Sequence, residues 1–136
     1  MYPESIVSPM KAELTSAGFE ECISPEEVNN TLNSKGTVLM VVNSVCGCAA
    51  GACRPGVKMS LQNDKKPAKL STVFAGFDID ALAEARKHFA PYPPSSPAIA
   101  LFKDGQLVHF VERHNIEGRN AQMIAEHLKM VYDEFC

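Results

Sequence analysis

The 136-residue sequence has no run or patch of basic residues, and its formal net charge is −3. Proteins whose main partner is a nucleic acid carry clustered Lys and Arg, so we expect no nucleic-acid partner. The longest apolar run is far short of the roughly 20 residues of a membrane-spanning helix, so we expect no membrane partner. Residues 1–20 lack the basic start and apolar centre of a signal peptide, which predicts a cytoplasmic protein.

The sequence also has no internal repeat and no linker-like stretch that would separate two domains. Hydrophobic residues make up 46% of the chain and charged residues 21%, which is typical of a globular protein rather than a disordered one. A chain of this length can bury a core of useful size in one unit. We therefore expect a single domain over residues 1–136.

Cysteine is unevenly distributed, because three of the five cysteines, Cys46, Cys48 and Cys53, lie within eight residues. The apolar run Val38–Val42 that leads to them has the length and β-branched content of a buried strand. Small residues and Pro55 follow, which suits a tight turn that opens a helix. At such a helix start, unpaired backbone N–H groups and the helix dipole favour a thiolate over a thiol.

Only Gly47 separates Cys46 from Cys48. A disulfide between residues i and i+2 requires a bend, and its small, strained ring is typical of labile, catalytic disulfides rather than structural ones. Gly47 permits backbone angles that other residues resist. The spacing predicts a redox-active pair, and the alternative is a set of inert cysteines that pack as small hydrophobic residues.

Periodicity and turn signals predict the order helix, helix, strand, helix, strand, helix, strand, strand, helix. The first helix either kinks at Pro9 or begins at Ser8, and Ser24 caps the second. The last two strands form a hairpin across Asp104–Gly105, and two strand–helix–strand crossovers make parallel pairs. The predicted strands are Thr37–Asn43, Leu70–Ala75, Ala98–Phe102 and Leu107–Val111.

This order, with a cysteine pair after the first strand and Pro97 just before the third, resembles the thioredoxin fold. The resemblance implies an α/β protein with a central mixed four-stranded sheet flanked by helices and an extra N-terminal helix. More specifically, the sequence resembles the bacilliredoxin family of bacterial thiol–disulfide proteins. The matching stretches span most of the chain and are Val41–Gly51, Leu61–Lys65, Val73–Gly76, Pro94–Pro97 and Arg113–Gly118.

The family resemblance implies a reaction: removal of bacillithiol, a low-molecular-weight thiol, from mixed disulfides on client proteins. Bacillithiol is then a co-substrate, and no bound cofactor or metal is implied. Cys46 would attack the mixed disulfide, and Cys48 or free bacillithiol would resolve the product. Disulfide isomerase or reductase activity is also implied.

The resemblance also implies residues that contact the substrate. The Ser96–Pro97 peptide bond is expected to be cis, to face the cysteines and to present backbone groups to the substrate, with Gly47 also in the binding site. Arg54, beside the cysteines, is a candidate to stabilise a thiolate or hold a substrate carboxylate, and its alternative is an exposed helix charge.

Two features depart from the related proteins. Thioredoxins carry a buried acid in the strand before the cysteines, whereas Val38–Val42 contains none, so the base that deprotonates Cys48 is unassigned. Cys53 occupies a position where the family has other residues, and it is a candidate auxiliary thiol. It follows Cys48 by more than one helical turn, which leaves its reach to the active pair open.

The remaining polar candidates are less specific. His109 and His114 are candidates for substrate contact, although a lone histidine is more often packed or solvated. Glu112 and Arg113 are predicted to form a solvated pair.

Two other functions compete with the redox interpretation. Cys46, Cys48 and Cys53, with Cys22 or Cys136 as a fourth ligand, could bind zinc or an iron–sulfur cluster, although their spacing matches neither paired Cys-x-x-Cys zinc sites nor common ferredoxin patterns. The third hypothesis is a non-catalytic interaction module on a thioredoxin-like scaffold.

Overall fold

A computed structural model describes residues 1–136. Its strands are β1 (Glu20–Glu21), β2 (Thr37–Asn43), β3 (Lys69–Phe74), β4 (Ala98–Lys103) and β5 (Gln106–Val111). Its α-helices are α1 (Glu4–Thr15), α2 (Pro25–Leu32), α3 (Arg54–Ser60), α4 (Ile79–His88) and α5 (Ala121–Phe135). A π-helix over Ala49–Cys53 runs directly into α3, and a short 3₁₀ helix over Arg113–Asn115 follows β5.

The five strands form one mixed sheet in the order β1-β3-β2-β4-β5. β3 is parallel to both β1 and β2, whereas β4 is antiparallel to both β2 and β5. The α/β class and the mixed sheet are confirmed, and the four predicted strands are present with ends that shift by one residue at most. β2 lies at the centre, so the cysteines that follow it leave the middle of the sheet.

Two details of the predicted sheet are wrong. The sheet has five strands rather than four, because Glu20–Glu21, where no strand was predicted, pairs with Ser71 and Thr72 of β3. The second crossover does not produce a parallel pair, since the residues between α4 and β4 return the chain to the Asn43 end of β2. Nine residues (89–97) are long enough for that path, because an extended chain covers about 3.3 Å per residue. Ala98 therefore pairs with Val42, and Lys103 with Thr37.

The core has two halves, one on each face of the sheet. All seven residues of β2 are buried, and alternate side chains point to opposite faces. Val38, Met40 and Val42 pack with residues of α2 and α4. Leu39 and Val41 pack with residues of α1, α3 and α5. A strand buried on both faces gives a rigid base for the loop that carries the cysteines.

The helix starts follow the local sequence. The Ser24 hydroxyl accepts a hydrogen bond from the Glu27 N–H, which confirms the predicted cap of α2, and the Asn120 side chain caps α5 by accepting one from the Met123 N–H. Of the two alternatives for α1, the start at Ser8 is wrong, since the helix begins at Glu4 and continues through Pro9. Burial of Val7 and Leu14 on one face stabilises α1 although Pro9 donates no backbone hydrogen bond. No helix in the structure has both the length and the hydrophobicity to cross a bilayer.

Candidate active site

Cys46 lies where the central strand gives way to a helix. β2 ends at Asn43, a two-residue bend follows, and the Cys46 carbonyl accepts hydrogen bonds from the N–H groups of Ala49 (3.1 Å) and Ala50 (3.2 Å). This carbonyl closes the first helical turn, so Cys46 sits at the helix start that the sequence predicted. Backbone N–H groups without helical partners are available beside its side chain.

The sulfurs of Cys46 and Cys48 lie 2.7 Å apart, and both residues are half-buried free thiols. The bend expected from the Cys-Gly-Cys spacing therefore brings the two side chains together. Gly47 itself lies outside the left-handed region, so the bend does not depend on the special angles that glycine allows. A Cβ at Gly47 would contact nothing, and its role in substrate binding stays a prediction.

The pKa of Cys46 is lowered from its ordinary value. Desolvation, the largest single influence, raises this pKa, but four hydrogen bonds to the sulfur together outweigh it. The donors are the thiol of Cys48, the hydroxyl of Ser44 and the backbone N–H groups of Ala49 and Cys48. Hydrogen bonds to a charged form favour that form, so Cys46 is the thiol that ionises first.

The pKa of Cys48 moves in the opposite direction. Desolvation raises it, and so do the hydrogen bond to Cys46 and the negative charge of the Cys46 thiolate. Arg113 lowers it and Glu117 raises it by smaller amounts. At a pH where Cys46 is a thiolate, Cys48 therefore keeps its proton and donates it to the Cys46 sulfur.

Arg54 is buried, with 2% of its surface exposed, and it holds the loop before Cys46. Its Nη1 donates to the carbonyl of Ser44 (2.7 Å) and to Oδ1 of Asn43 (3.0 Å). Its Nε lies 3.2 Å from a Glu13 carboxylate oxygen but has no hydrogen-bond partner of proper angle. The prediction that Arg54 binds substrate is wrong, because a guanidinium enclosed by these groups cannot reach a ligand.

Arg54 acts on the site through Ser44. The backbone N–H of Cys46 donates to the Ser44 hydroxyl oxygen at 3.1 Å, and the backbone N–H of Ser44 donates to Asn43 Oδ1 at 2.8 Å. Arg54 holds the Ser44 carbonyl and the Asn43 amide oxygen at the same time. The buried arginine therefore fixes the residue that both supports the Cys46 backbone and stabilises its thiolate.

Arg113 is the site residue that the sequence analysis missed. It does not pair with Glu112 as predicted; its Nε contacts Glu117, and its Nη1 donates to the Ser96 carbonyl at 3.2 Å. Contact with Glu117 and, after it, the negative charges of Cys46 and Cys48 raise the pKa of Arg113. A signal was present in the sequence, since Arg113 and Glu117 are spaced as an i, i+4 ion pair.

A cavity of about 180 Å³ opens beside Cys46. Its walls are Tyr2, Ser44, Val45, Cys46, Ala75, Gly76, Ser96 and Arg113. The Ser96–Pro97 peptide bond is cis, as predicted. Ser96 lines the cavity, whereas Pro97 is buried and is not part of its wall. Of the residues predicted to bind substrate, Ser96 is the one that lines this cavity.

The other three cysteines lie apart from this arrangement. Cys53 lies in the π-helix with none of its surface exposed, and desolvation raises its pKa to about 12. Cys22 is buried with its sulfur 3.7 Å from the Thr31 hydroxyl, and Cys136 is exposed. The structure gathers no group of three or more His, Cys, Asp or Glu side chains suited to a metal, so the arrangement does not support the zinc or iron–sulfur hypothesis.

The two candidate histidines do not line the cavity beside Cys46. His109 lies against His127, with 2.9 Å between their Nε2 atoms, and both line a separate cavity of about 250 Å³. Desolvation lowers the pKa of both rings. His114 Nδ1 lies 3.0 Å from a carboxylate oxygen of Glu112.

Solved structures of thioredoxins have the same fold. Mitochondrial thioredoxin 3 from Saccharomyces cerevisiae, in its oxidized form, superposes with a TM-score of 0.59 at 15% identity, over 90% of this chain and 98% of that one. A thioredoxin from Halobacterium salinarum also gives 0.59, at 17% identity, over 88% of this chain and 91% of that one. The predicted thioredoxin-like fold is confirmed.

Sequence comparison is more specific. Residues 2–136 match the model of a family described as disulphide isomerase. A bacilliredoxin from Cytophaga hutchinsonii is 65% identical over 134 residues, which cover 98% of this chain and 99% of the relative. A bacilliredoxin from Halalkalibacterium halodurans is 50% identical over 136 residues, which cover 99% of this chain and 94% of the relative. The chain therefore belongs to the bacilliredoxin family and is a thiol–disulfide oxidoreductase.

Proposed function

We propose that the protein removes bacillithiol from mixed disulfides on client proteins, with Cys46 as the nucleophile and Cys48 as the resolving thiol. The observation that carries this proposal is a pair of sulfurs 2.7 Å apart whose pKa values are displaced in opposite directions. At a pH where Cys46 is a thiolate and can attack, Cys48 is still protonated. The names of the relatives support bacillithiol as the small thiol.

In the first step the Cys46 thiolate attacks the bacillithiol sulfur of the mixed disulfide. The bond between bacillithiol and the client breaks, a disulfide between Cys46 and bacillithiol forms, and the client leaves as a thiolate that takes up a proton. The lowered pKa of Cys46 raises the fraction of nucleophile present at neutral pH. The cavity beside Cys46 gives the small thiol a place to lie during this attack.

In the second step Cys48 attacks the Cys46 sulfur, bacillithiol leaves as a thiol, and a disulfide joins the two cysteines. No buried acid stands in β2 to take the Cys48 proton, but the first step removes two reasons for the raised pKa of Cys48. Once Cys46 is in a disulfide it carries no negative charge and accepts no hydrogen bond as a thiolate, while Arg113 continues to lower the pKa of Cys48. Cys48 then ionises to solvent without a dedicated base. Two molecules of a low-molecular-weight thiol return the disulfide to the dithiol and leave joined in a disulfide of their own, and the same chemistry supports disulfide reductase or isomerase activity.

The test is intact-mass analysis of single variants after one exposure to a bacillithiolated client. Cys46→Ala should release no client thiol. Cys48→Ala should release client and accumulate protein with one bacillithiol on Cys46, located by peptide mapping. Wild-type protein should instead yield free bacillithiol and an internal disulfide.

Cys22→Ala is the matched control, since Cys22 is buried away from the pair and should react like wild type. An adduct that forms on Cys48 in Cys46→Ala at the wild-type rate would reverse the two roles. Equal rates with a glutathionylated and a bacillithiolated client would remove bacillithiol as the preferred substrate and leave a general reductase.

A further inference from the structure

Arg113 supplies the only guanidinium in the wall of the cavity that Cys46 also lines. It lies at the start of the 3₁₀ helix that follows β5, and 45% of its side chain is exposed. The other arginine close to the cysteines, Arg54, is enclosed in the protein. Arg113 is therefore the cation that a molecule in this cavity would meet.

The orientation of Arg113 is fixed from both ends. Its backbone N–H donates to the Ser95 hydroxyl oxygen at 3.3 Å, Nη1 donates to the Ser96 carbonyl at 3.2 Å, and Nε contacts Glu117. A guanidinium has five N–H donors, and Nη2 has no protein partner here. Three N–H groups remain without a protein partner, two on Nη2 and one on Nη1, and such charged donors suit a carboxylate.

The charges around Arg113 do not cancel its attraction for an anion. Glu117 contacts Nε and so offsets part of the positive charge on the edge that Nε shares with Nη2, whereas the edge formed by Nη1 and Nη2 faces no carboxylate. Glu112 is engaged by His114 at 3.0 Å. The nearest remaining negative charge is the Cys46 thiolate, and the first step of the reaction removes this charge by placing Cys46 in a disulfide.

We infer that Arg113 selects for a small thiol that carries a carboxylate, by binding that carboxylate while the thiol's sulfur is attacked by Cys46. The inference rests on the proposed function, in which the small thiol is the half of the mixed disulfide that becomes bonded to Cys46. A cavity of about 180 Å³ holds a fragment of a small thiol rather than a folded client, so the carboxylate belongs to the small thiol.

Alkylation provides a test that needs neither bacillithiol nor a client. Iodoacetate and iodoacetamide both transfer a carbon to a thiolate and release iodide, and they differ in a carboxylate against a neutral amide. The rate constant for iodoacetate at Cys46 divided by that for iodoacetamide reports recognition of the carboxylate and is independent of the thiolate fraction. Peptide mapping identifies the modified residue. In Arg113→Gln this ratio should fall about threefold at low salt, the size expected of an exposed ion pair. The difference should shrink at 1 M salt, where charges are screened within about 3 Å.

Arg119→Gln is the matched control, because Arg119 is an exposed arginine of the same segment that lines the other cavity. Its ratio should equal that of wild type. An unchanged ratio in Arg113→Gln overturns the inference and leaves Arg113 as a support for Ser96. An equal fall in both variants also overturns it, in favour of the general surface potential. Arg113→Lys, which retains the positive charge but not the planar set of N–H donors, should give an intermediate ratio.

Two mixed disulfides separate the possible sources of the carboxylate. One joins a neutral peptide to mercaptopropionate, and the other joins a peptide with Asp beside its cysteine to mercaptoethanol. Arg113→Gln should slow the first reaction relative to the second. The reverse result would assign the recognised carboxylate to the client and overturn the inference. Loss of reaction with both disulfides in Cys46→Ala tests the proposed function separately.

Discussion

Ser44→Ala should weaken the Cys46 thiolate while leaving its surroundings in place. The Ser44 hydroxyl accepts a hydrogen bond from the Cys46 N–H at 3.1 Å and donates one to the thiolate. A hydrogen bond of this kind contributes about 1 kcal/mol, taken low because Cys46 is half exposed. That free energy changes the ratio of thiolate to thiol by about fivefold, since 1.36 kcal/mol corresponds to a factor of ten.

The expected effect on rate has opposite signs at the two ends of the pH range. A thiol of higher pKa is a better nucleophile once ionised, with a Brønsted slope of about 0.5. Below the pKa, a fivefold loss of thiolate offset by this gain leaves the alkylation rate about twofold lower. Above the pKa, where ionisation is complete, the rate should be about twofold higher. The pH profiles of variant and wild type should therefore cross.

The assay is the rate of iodoacetamide alkylation of Cys46 from pH 5 to 10, with the modified residue identified by peptide mapping. Ser34→Ala is the matched control, because the Ser34 hydroxyl bonds to the Thr31 carbonyl at the far end of β2. Its profile should overlay that of wild type. A Ser44→Ala profile that overlays wild type, or shifts to lower pH, refutes the assignment of Ser44 as a thiolate donor.

Three further predictions concern the buried thiol of Cys53 and the stability of the fold. Cys53→Ser should retain turnover of mixed disulfides in steady-state assays, because Cys53 is fully buried and its pKa is raised to about 12; loss of turnover in a folded variant would make Cys53 the resolving thiol. The free energy of unfolding of the reduced protein should fall as pH rises from 9.0 towards about 12, because the unfolded state releases the Cys53 proton that the folded state keeps. When this free energy is measured by urea unfolding at each pH, its decrease should be smaller in Cys53→Ala, by up to about 1.4 kcal/mol per pH unit. Gly56→Ala should cost about 1–3 kcal/mol in urea unfolding, because its Cβ would lie 2.7 Å from Ile124 Cβ, whereas Gly51→Ala, which meets nothing, should be neutral or stabilising.

The sequence predicted the elements whose causes are local. Ser24 and Asn120 cap helices through their own side chains, and Asp104–Gly105 turns the chain between β4 and β5. The thiol pair could also be predicted from the sequence, since Cys46 and Cys48 follow a run of buried residues and adjoin a helix start. In each case the determining residues are within a few positions of one another.

What the sequence did not predict depends on contacts between distant segments. Arg113 reaches Ser96 across 17 positions, and Arg54 turns inward because Asn43 and Ser44 offer oxygens that no local pattern reveals. The direction of β4 depends on the path of residues 89–97. β1 has only two residues, both exposed, so it carries no hydrophobic signal and exists through its hydrogen bonds to β3.

The wall that Tyr2 contributes to the thiol cavity bears on how the protein should be prepared for kinetic work. The Tyr2 N–H donates to the Gly76 carbonyl at 3.1 Å, and its ring lies so close to Gly76 that a Cβ there would be 2.5 Å away. A purification tag joined ahead of Met1 would emerge beside the mouth of that cavity. Cys136, in contrast, lies near Thr37 and Lys103, at the opposite end of the sheet. Rate constants measured on amino-terminally tagged protein would therefore include the effect of the tag on access to the cavity. A tag fused to the carboxy terminus would lie away from Cys46.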